Sequence, residues 1–144
     1  TDDEQVGANL AALREHGVQI AIDDFGTGFA SLDYVRVHAV DSLKIDRSFV
    51  QGIEASPRQA ALVTTIVHLA QQLDLPVVAE GVETPAQRDA LLLAGCRLGQ
   101  GHLFLAPVPA DEALPWLRRS PDRSGFTVIA ADRAEGLAVR NPHR

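Results

Sequence analysis

Ile20-Ala-Ile-Asp-Asp-Phe-Gly-Thr-Gly-Phe-Ala-Ser-Leu32 sets two adjacent carboxylates, Asp23 and Asp24, where an apolar stretch gives way to a glycine loop. Neighbouring aspartates at a strand end repel one another unless a cation or a shared proton relieves them. Two explanations stand at this point. Either the pair caps and turns the chain, as aspartate before glycine often does, or its oxygens form a site for a hard cation such as Mg²⁺, Mn²⁺ or Ca²⁺.

Working outward, apolar segments alternate with helical ones. Val6, Leu10 and Leu13 recur at helical spacing from Glu4 to His16, with Gly17 as a C-terminal cap, and Val18 to Ile22 reads as a strand. Leu32, Val35 and Val40 suggest a short helix, followed by a strand from Ser42 to Asp46. Ser56-Pro57-Arg58-Gln59 has the form of a capping box with proline at the first helical position. It predicts a helix to Leu73 with Leu62, Ile66, Leu69 and Leu73 on one face. Pro76 to Ala79 is a third strand, and Thr84-Pro85-Ala86-Gln87 opens a helix ending near Gly95. A fourth strand is expected over Leu98 to Phe104 and a last helix over Ala110 to Arg119. Residues 1–119 thus form one domain, and 120–144 are expected to be a peripheral or disordered tail.

Strands separated by helices predict an α/β fold with a parallel sheet and right-handed crossovers. In such sheets chemistry collects at the carboxyl ends of the strands. The conspicuous polar residues fall there: Asp23 and Asp24, Lys44 and Asp46, Glu80 and Glu83, and Gln100. Period-two alternation puts Lys44 and Asp46 on one face and Leu43 and Ile45 on the other. Lys44 and Asp46 serve either as a solvated ion pair or as groups that orient water and stabilise charge. Glu80 follows Val77, Val78 and Ala79, an odd place for a surface acid, and is a candidate ligand or base. Glu83 suits a helix amino end. Gln100, between Gly99 and Gly101, is placed for close backbone approach.

Composition narrows the possible functions. The chain has 144 residues, a formal net charge of −6, one cysteine and no methionine. That charge argues against a duplex nucleic-acid binder, and a single Cys96 precludes an internal disulfide framework and fits a reducing, cytoplasmic setting. No apolar run reaches the roughly 18 residues of a membrane span, so no membrane contact is expected. The five histidines lack metal-ligand spacing. His68 reads as a core or boundary residue, and Trp116 as packing for the last helix. The opening Thr1-Asp2-Asp3-Glu4 resembles a helix entry, and suggests a piece of a longer protein.

Gly26-Thr-Gly28-Phe-Ala-Ser31 also resembles a dinucleotide-binding loop, with Asp46 about 20 residues on as the ribose acid. Two carboxylates just before the loop oppose a pyrophosphate, which needs unopposed backbone N–H groups. Ser31 also replaces the third glycine.

Taken together, "DDFGTGFASL" (23–32), "LKIDRSFV" (43–50), "VVAEGVET" (77–84) and "LGQGHLFLAPVP" (98–109) resemble the later motifs of the EAL-domain phosphodiesterases, which hydrolyse the bacterial second messenger cyclic di-GMP. The resemblance runs from about Glu4 to Trp116. It implies the C-terminal half of a modified (β/α)8, TIM-like barrel, about four strands. It further implies Asp23 and Asp24 as ligands of two Mg²⁺ or Mn²⁺ ions, Lys44 holding the attacking water, and Glu80 as ligand or base. Asp46, Glu83 and Gln100 would support the site. The loop of Phe25, Gly26, Thr27, Gly28 and Ser31 would couple it to a homodimer interface. The family's Glu-Ala-Leu glutamate, an asparagine and a further glutamate would lie upstream of Thr1, which predicts an inactive isolated segment. The alternative is a non-catalytic cyclic di-GMP-binding or dimerisation module.

Overall fold

The computed structural model of the chain describes residues 2–27, 31–117 and 127–128. The elements in order are α1 (Asp2–Glu15), β1 (Ala21–Phe25), α2 (Ser31–Val37), β2 (Ser42–Ile45), α3 (Arg47–Val50), α4 (Pro57–Gln72), β3 (Val77–Ala79), α5 (Pro85–Leu93), β4 (Leu98–Gly99), α6 (Ala110–Leu117) and β5 (Thr127–Val128). The strands form one sheet in sequence order, every pairing parallel, as the alternation of elements predicted. Among the described residues β1 and β5 are its edges. β5 lies inside the expected tail; the other tail residues are outside the described ones.

The core sits between the central strands and the helices α3 to α5. Leu43 and Ile45 of β2 are completely buried and Lys44 between them is not, which is the expected alternation. Val50, Val63, Val67 and Leu91 close over them from the helix side. All three residues of β3 are buried, as befits a strand covered on both faces.

Helix starts follow local chemistry. Thr84 Oγ1 accepts from Gln87 N while Gln87 Oε1 accepts from Thr84 N, a complete capping box worth about 1 kcal/mol. At α4 the Ser56 hydroxyl accepts from Gln59 N, but the box stays open because the Ser56 N–H donates to Gly52 O and the Gln59 side chain turns to α3. The apolar face of α4 is rotated from the expected one. Val63, Val67 and Ala70 are buried and Ile66 and Leu69 half-buried, whereas Leu62 and Leu73 are exposed. His68 is exposed too, rather than at the core.

Two strands differ from expectation. The first runs from Ala21 to Phe25, through the aspartates, because Phe25 pairs with Ile45 and is buried in the core. The fourth is only Leu98–Gly99, because the backbone beyond it turns onto the β3 end.

Candidate active site

Consecutive strand residues point to opposite faces, so Asp23 and Asp24 in a regular strand would not serve one site. A bulge solves this. Ile22 pairs with Leu43 and Phe25 with Ile45, leaving both aspartates opposite the single residue Lys44. Asp24 takes a left-handed conformation, φ 53°, which aspartate tolerates better than most residues, and its N–H donates to Asp23 Oδ1 at 3.0 Å. One carboxylate oxygen each from Asp23, Asp24 and Glu80 then lies within 4.8 Å of the others.

Lys44 bridges this group. Its ammonium donates to Asp23 Oδ1 at 3.3 Å and pairs with Glu80 Oε1. Gln100 Nε2 donates to the same Glu80 oxygen at 2.8 Å. The Gln100 segment is laced onto β3: Gln100 N donates to Ala79 O, Val82 N to Gln100 O, and Leu103 N to Val82 O. Gly101 permits this approach, since a Cβ there would stand 2.2 Å from Val82 O.

The electrostatics record crowding. Asp23's charge first, then desolvation and Asp46, raise the Asp24 carboxyl. Burial raises Glu80, opposed by Lys44 and reinforced by Asp23 and Asp24. Burial would lower Lys44, but its hydrogen bond and charge pairing with Glu80, and then with Asp23, hold its ammonium above the ordinary range. Asp46 is lowered by hydrogen bonds from Ser48, whose N–H donates to Asp46 Oδ1 at 2.8 Å.

The donor set fits a hard divalent cation. Oxygens bound to one Mg²⁺ at about 2.1 Å stand up to about 4.2 Å apart, and those on Ca²⁺ slightly more. The three carboxylates are within a small adjustment of that span, and nitrogen or sulfur donors, which softer metals favour, are absent from the cluster.

The structure brings together Asp23, Asp24, Lys44, Glu80 and Gln100, with Asp46 beside Asp24. It does not bring in Glu83, whose side chain is exposed and whose N–H completes the α5 cap through Gln87 Oε1. Of the expected coupling loop, Phe25 belongs to the strand and the core, Thr27 Oγ1 donates to Asp24 O at 2.8 Å, and Gly26 follows at φ 99°. Gly28 and the side chain of Ser31 lie outside the described residues, as does that of Trp116. The sequence reading missed α3, which is too short for a hydrophobic period; Asp46-Arg-Ser48 at its start was the available capping signal. Glu112-Ala113-Leu114 also spells the tripeptide, but sits on α6 apart from the acidic cluster.

Comparison with known proteins bears on the family and the fold. The EAL domain family model matches residues 1–107. Cyclic di-GMP phosphodiesterase NbdA of Pseudomonas aeruginosa is 50% identical over 109 residues, which cover 76% of this chain and 14% of that protein. The crystal structure of the EAL domain of Mycobacterium smegmatis DcpA superposes with a TM-score of 0.76 at 41% identity, covering 81% of this chain and 52% of that one. The manganese and cyclic di-GMP complex of Klebsiella pneumoniae BlrP1 gives 0.61 at 41% identity over 66% of this chain and 24% of that one. The chain therefore spans about half, or less, of these proteins, whose EAL domains have the TIM-barrel-like fold. With four motifs in order and a matching parallel sheet, the chain belongs to the EAL domain family.

Proposed function

We propose that this chain is part of a metal-dependent phosphodiesterase that hydrolyses cyclic di-GMP to linear pGpG, and that it supplies the later β/α units of that domain. The bulge that turns Asp23 and Asp24 together toward Glu80 and Lys44 carries the reading. A cation held by these carboxylates would supply the local positive charge with which an acidic protein can handle an anionic substrate.

Asp23, Asp24 and Glu80 would hold Mg²⁺ or Mn²⁺. When bound, such ions neutralise the phosphate and lower the pKa of a bound water to near neutrality. Lys44, fixed between Asp23 and Glu80, holds and orients the attacking water and stabilises negative charge as it develops. Gln100 fixes the rotamer of Glu80 by donating to Oε1, as a positioned outer partner does for a ligating carboxylate. Asp46 adds negative charge beside Asp24. The loop of Phe25, Gly26, Thr27, Gly28 and Ser31 would couple site occupancy to a homodimer partner.

Three carboxylates are a partial shell for two ions. The isolated 144-residue protein is therefore expected not to turn over substrate. The test incubates it with Mn²⁺ and cyclic di-GMP, alone and after co-expression with the upstream half of the DcpA EAL domain. The expected result is linear product only in the reconstituted sample. Turnover by the chain alone at rates typical of an intact enzyme would contradict the partial-site reading. A reconstituted domain that binds cyclic di-GMP without cleaving it would replace the enzyme with a binding module.

A further inference from the structure

The strand ends that carry the candidate ligands are tied together by α3, a four-residue helix that the catalytic reading leaves without a role. Three contacts converge on it. Its N-cap, Asp46, stands close enough to Asp24 for their charges to interact. The Arg47 stem lies over Gly81, the residue after Glu80, so closely that a Cβ on Gly81 would meet Arg47 Cβ at 2.7 Å. The Phe49 ring lies over Gly26, two residues beyond Asp24, where a Cβ would meet Phe49 Cζ at 2.9 Å. Both glycines are left-handed, φ 67° and 99°, so the chain turns sharply at each carboxylate-bearing end, beneath an α3 side chain.

A helix of one turn has no stability of its own. Burial of Val50 anchors it to the core, and α4 holds its carboxyl end. The Gln59 amide donates from Nε2 toward the carbonyls of Ser48 at 2.6 Å, Phe49 at 3.2 Å and Gln51 at 3.0 Å, gathering the carboxyl-terminal carbonyls of α3 on one side chain. The Ser56 N–H donates instead to Gly52 O at 3.1 Å, so no capping box competes for the Gln59 side chain.

We infer that Gln59 is a positioning residue: by clamping α3 it fixes Arg47 over Gly81 and Phe49 over Gly26, and so sets the spacing between the Asp23–Asp24 bulge and Glu80 for a divalent cation. The inference rests on the metal reading above, and its test separates the two. Mn²⁺ titrations of the 144-residue protein, followed by water-proton relaxation, are compared with metal-free thermal melts for the wild type, Gln59→Ala, Gln59→Glu and Gln87→Ala. All titrations are run at a temperature where each variant is folded by circular dichroism. Gln59→Glu keeps the shape, loses the donors and adds negative charge, which by simple electrostatics would strengthen cation binding. Gln87→Ala removes the α5 capping box and lowers stability without touching α3.

The expected result is Mn²⁺ affinity weakened about tenfold by both Gln59 variants, the size seen when supporting residues of a metal site are lost. Gln87→Ala should lower the melting temperature and leave the affinity unchanged. Unchanged affinity in the Gln59 variants, or an equal loss in Gln87→Ala, overturns the clamp and leaves the site standing. No saturable Mn²⁺ binding by the wild type overturns both.

Discussion

The two ends of the candidate site are built differently. At the β3–β4 end Glu80 follows a fully buried strand, its side chain is only 17% exposed, and a lattice of backbone hydrogen bonds holds Gln100 against it. At the β1 end Asp23 is 61% exposed on an edge strand that bulges, with β2 as its strand neighbour among the described residues. One end is fixed by the core. The other is held by strand register, by Lys44 and by α3, and is the end free to adjust around a cation or a partner.

Substitutions at the two ends should therefore differ in cost. Leu91→Ala, on the α5 helix that joins β3 to β4, leaves a cavity in a fully buried position and should destabilise by about 2–5 kcal/mol in urea unfolding. Ile22→Ala on β1, only half-buried, should cost about 1 kcal/mol. Equal costs would erase the distinction.

Gly101→Ala tests the lacing itself. Its Cβ would meet backbone atoms of Val82 that cannot swing aside, so a loss of about 1–3 kcal/mol is expected. Amide exchange should speed up at Val82 and Leu103, while β1 amides keep their wild-type rates.

Cysteine labelling compares the ends by rate. Cys96 is buried under β3 and β4, its Sγ donates toward Val77 O and Leu98 O, and burial pushes the thiol up to about 11. Relative to an ordinary thiol near 9, its thiolate fraction at neutral pH is about a hundredfold lower. Cys96 should therefore react with iodoacetamide at least about a hundredfold more slowly than a cysteine introduced by Ala21→Cys on exposed β1 in a Cys96→Ser background. A folded-state value above the unfolded one also fixes the sign with pH. The stabilisation is full below about 9 and is lost as pH rises through about 11.

The smallest effect is expected at Asp24, which is exposed. Its carboxyl is raised, chiefly by Asp23, so the folded chain takes up a proton more readily there than the unfolded one. Stability without metal should thus fall as pH rises from the ordinary aspartate range through the raised value. Asp24→Asn keeps a residue that tolerates the left-handed conformation and removes the repulsion. It should raise the metal-free melting temperature slightly, flatten that pH dependence, and abolish the added stabilisation by Mn²⁺. A variant still stabilised by Mn²⁺ like the wild type would remove Asp24 from the ligand set.

The carboxyl-end clustering was legible in the sequence because each apolar run stops at a polar residue: Asp23, Asp46, Glu80 and Gln100 mark the ends even where strand limits were displaced. What was hidden depends on pairing. Local propensity stops a strand at Ile22, yet burial of Phe25 against β2 carries it through two aspartates, and only the register reveals the bulge. Glu83 read as a helix-end acid that would support the site, but the α5 cap takes its backbone N–H and leaves its side chain exposed. The α4 face was misjudged because Leu62 and Leu73 carry the same period as the core residues beside them. Their exposure is a fact of how α4 sits on the sheet.

Mn²⁺-induced broadening of backbone amide signals in the 144-residue protein measures where the cation goes. Amides of Asp23, Asp24, Lys44, Glu80 and Gln100 should broaden first and together at low Mn²⁺. Early broadening at other acids, such as Asp111 and Glu112 of α6, with the strand-end amides unaffected, would contradict this placement of the cation.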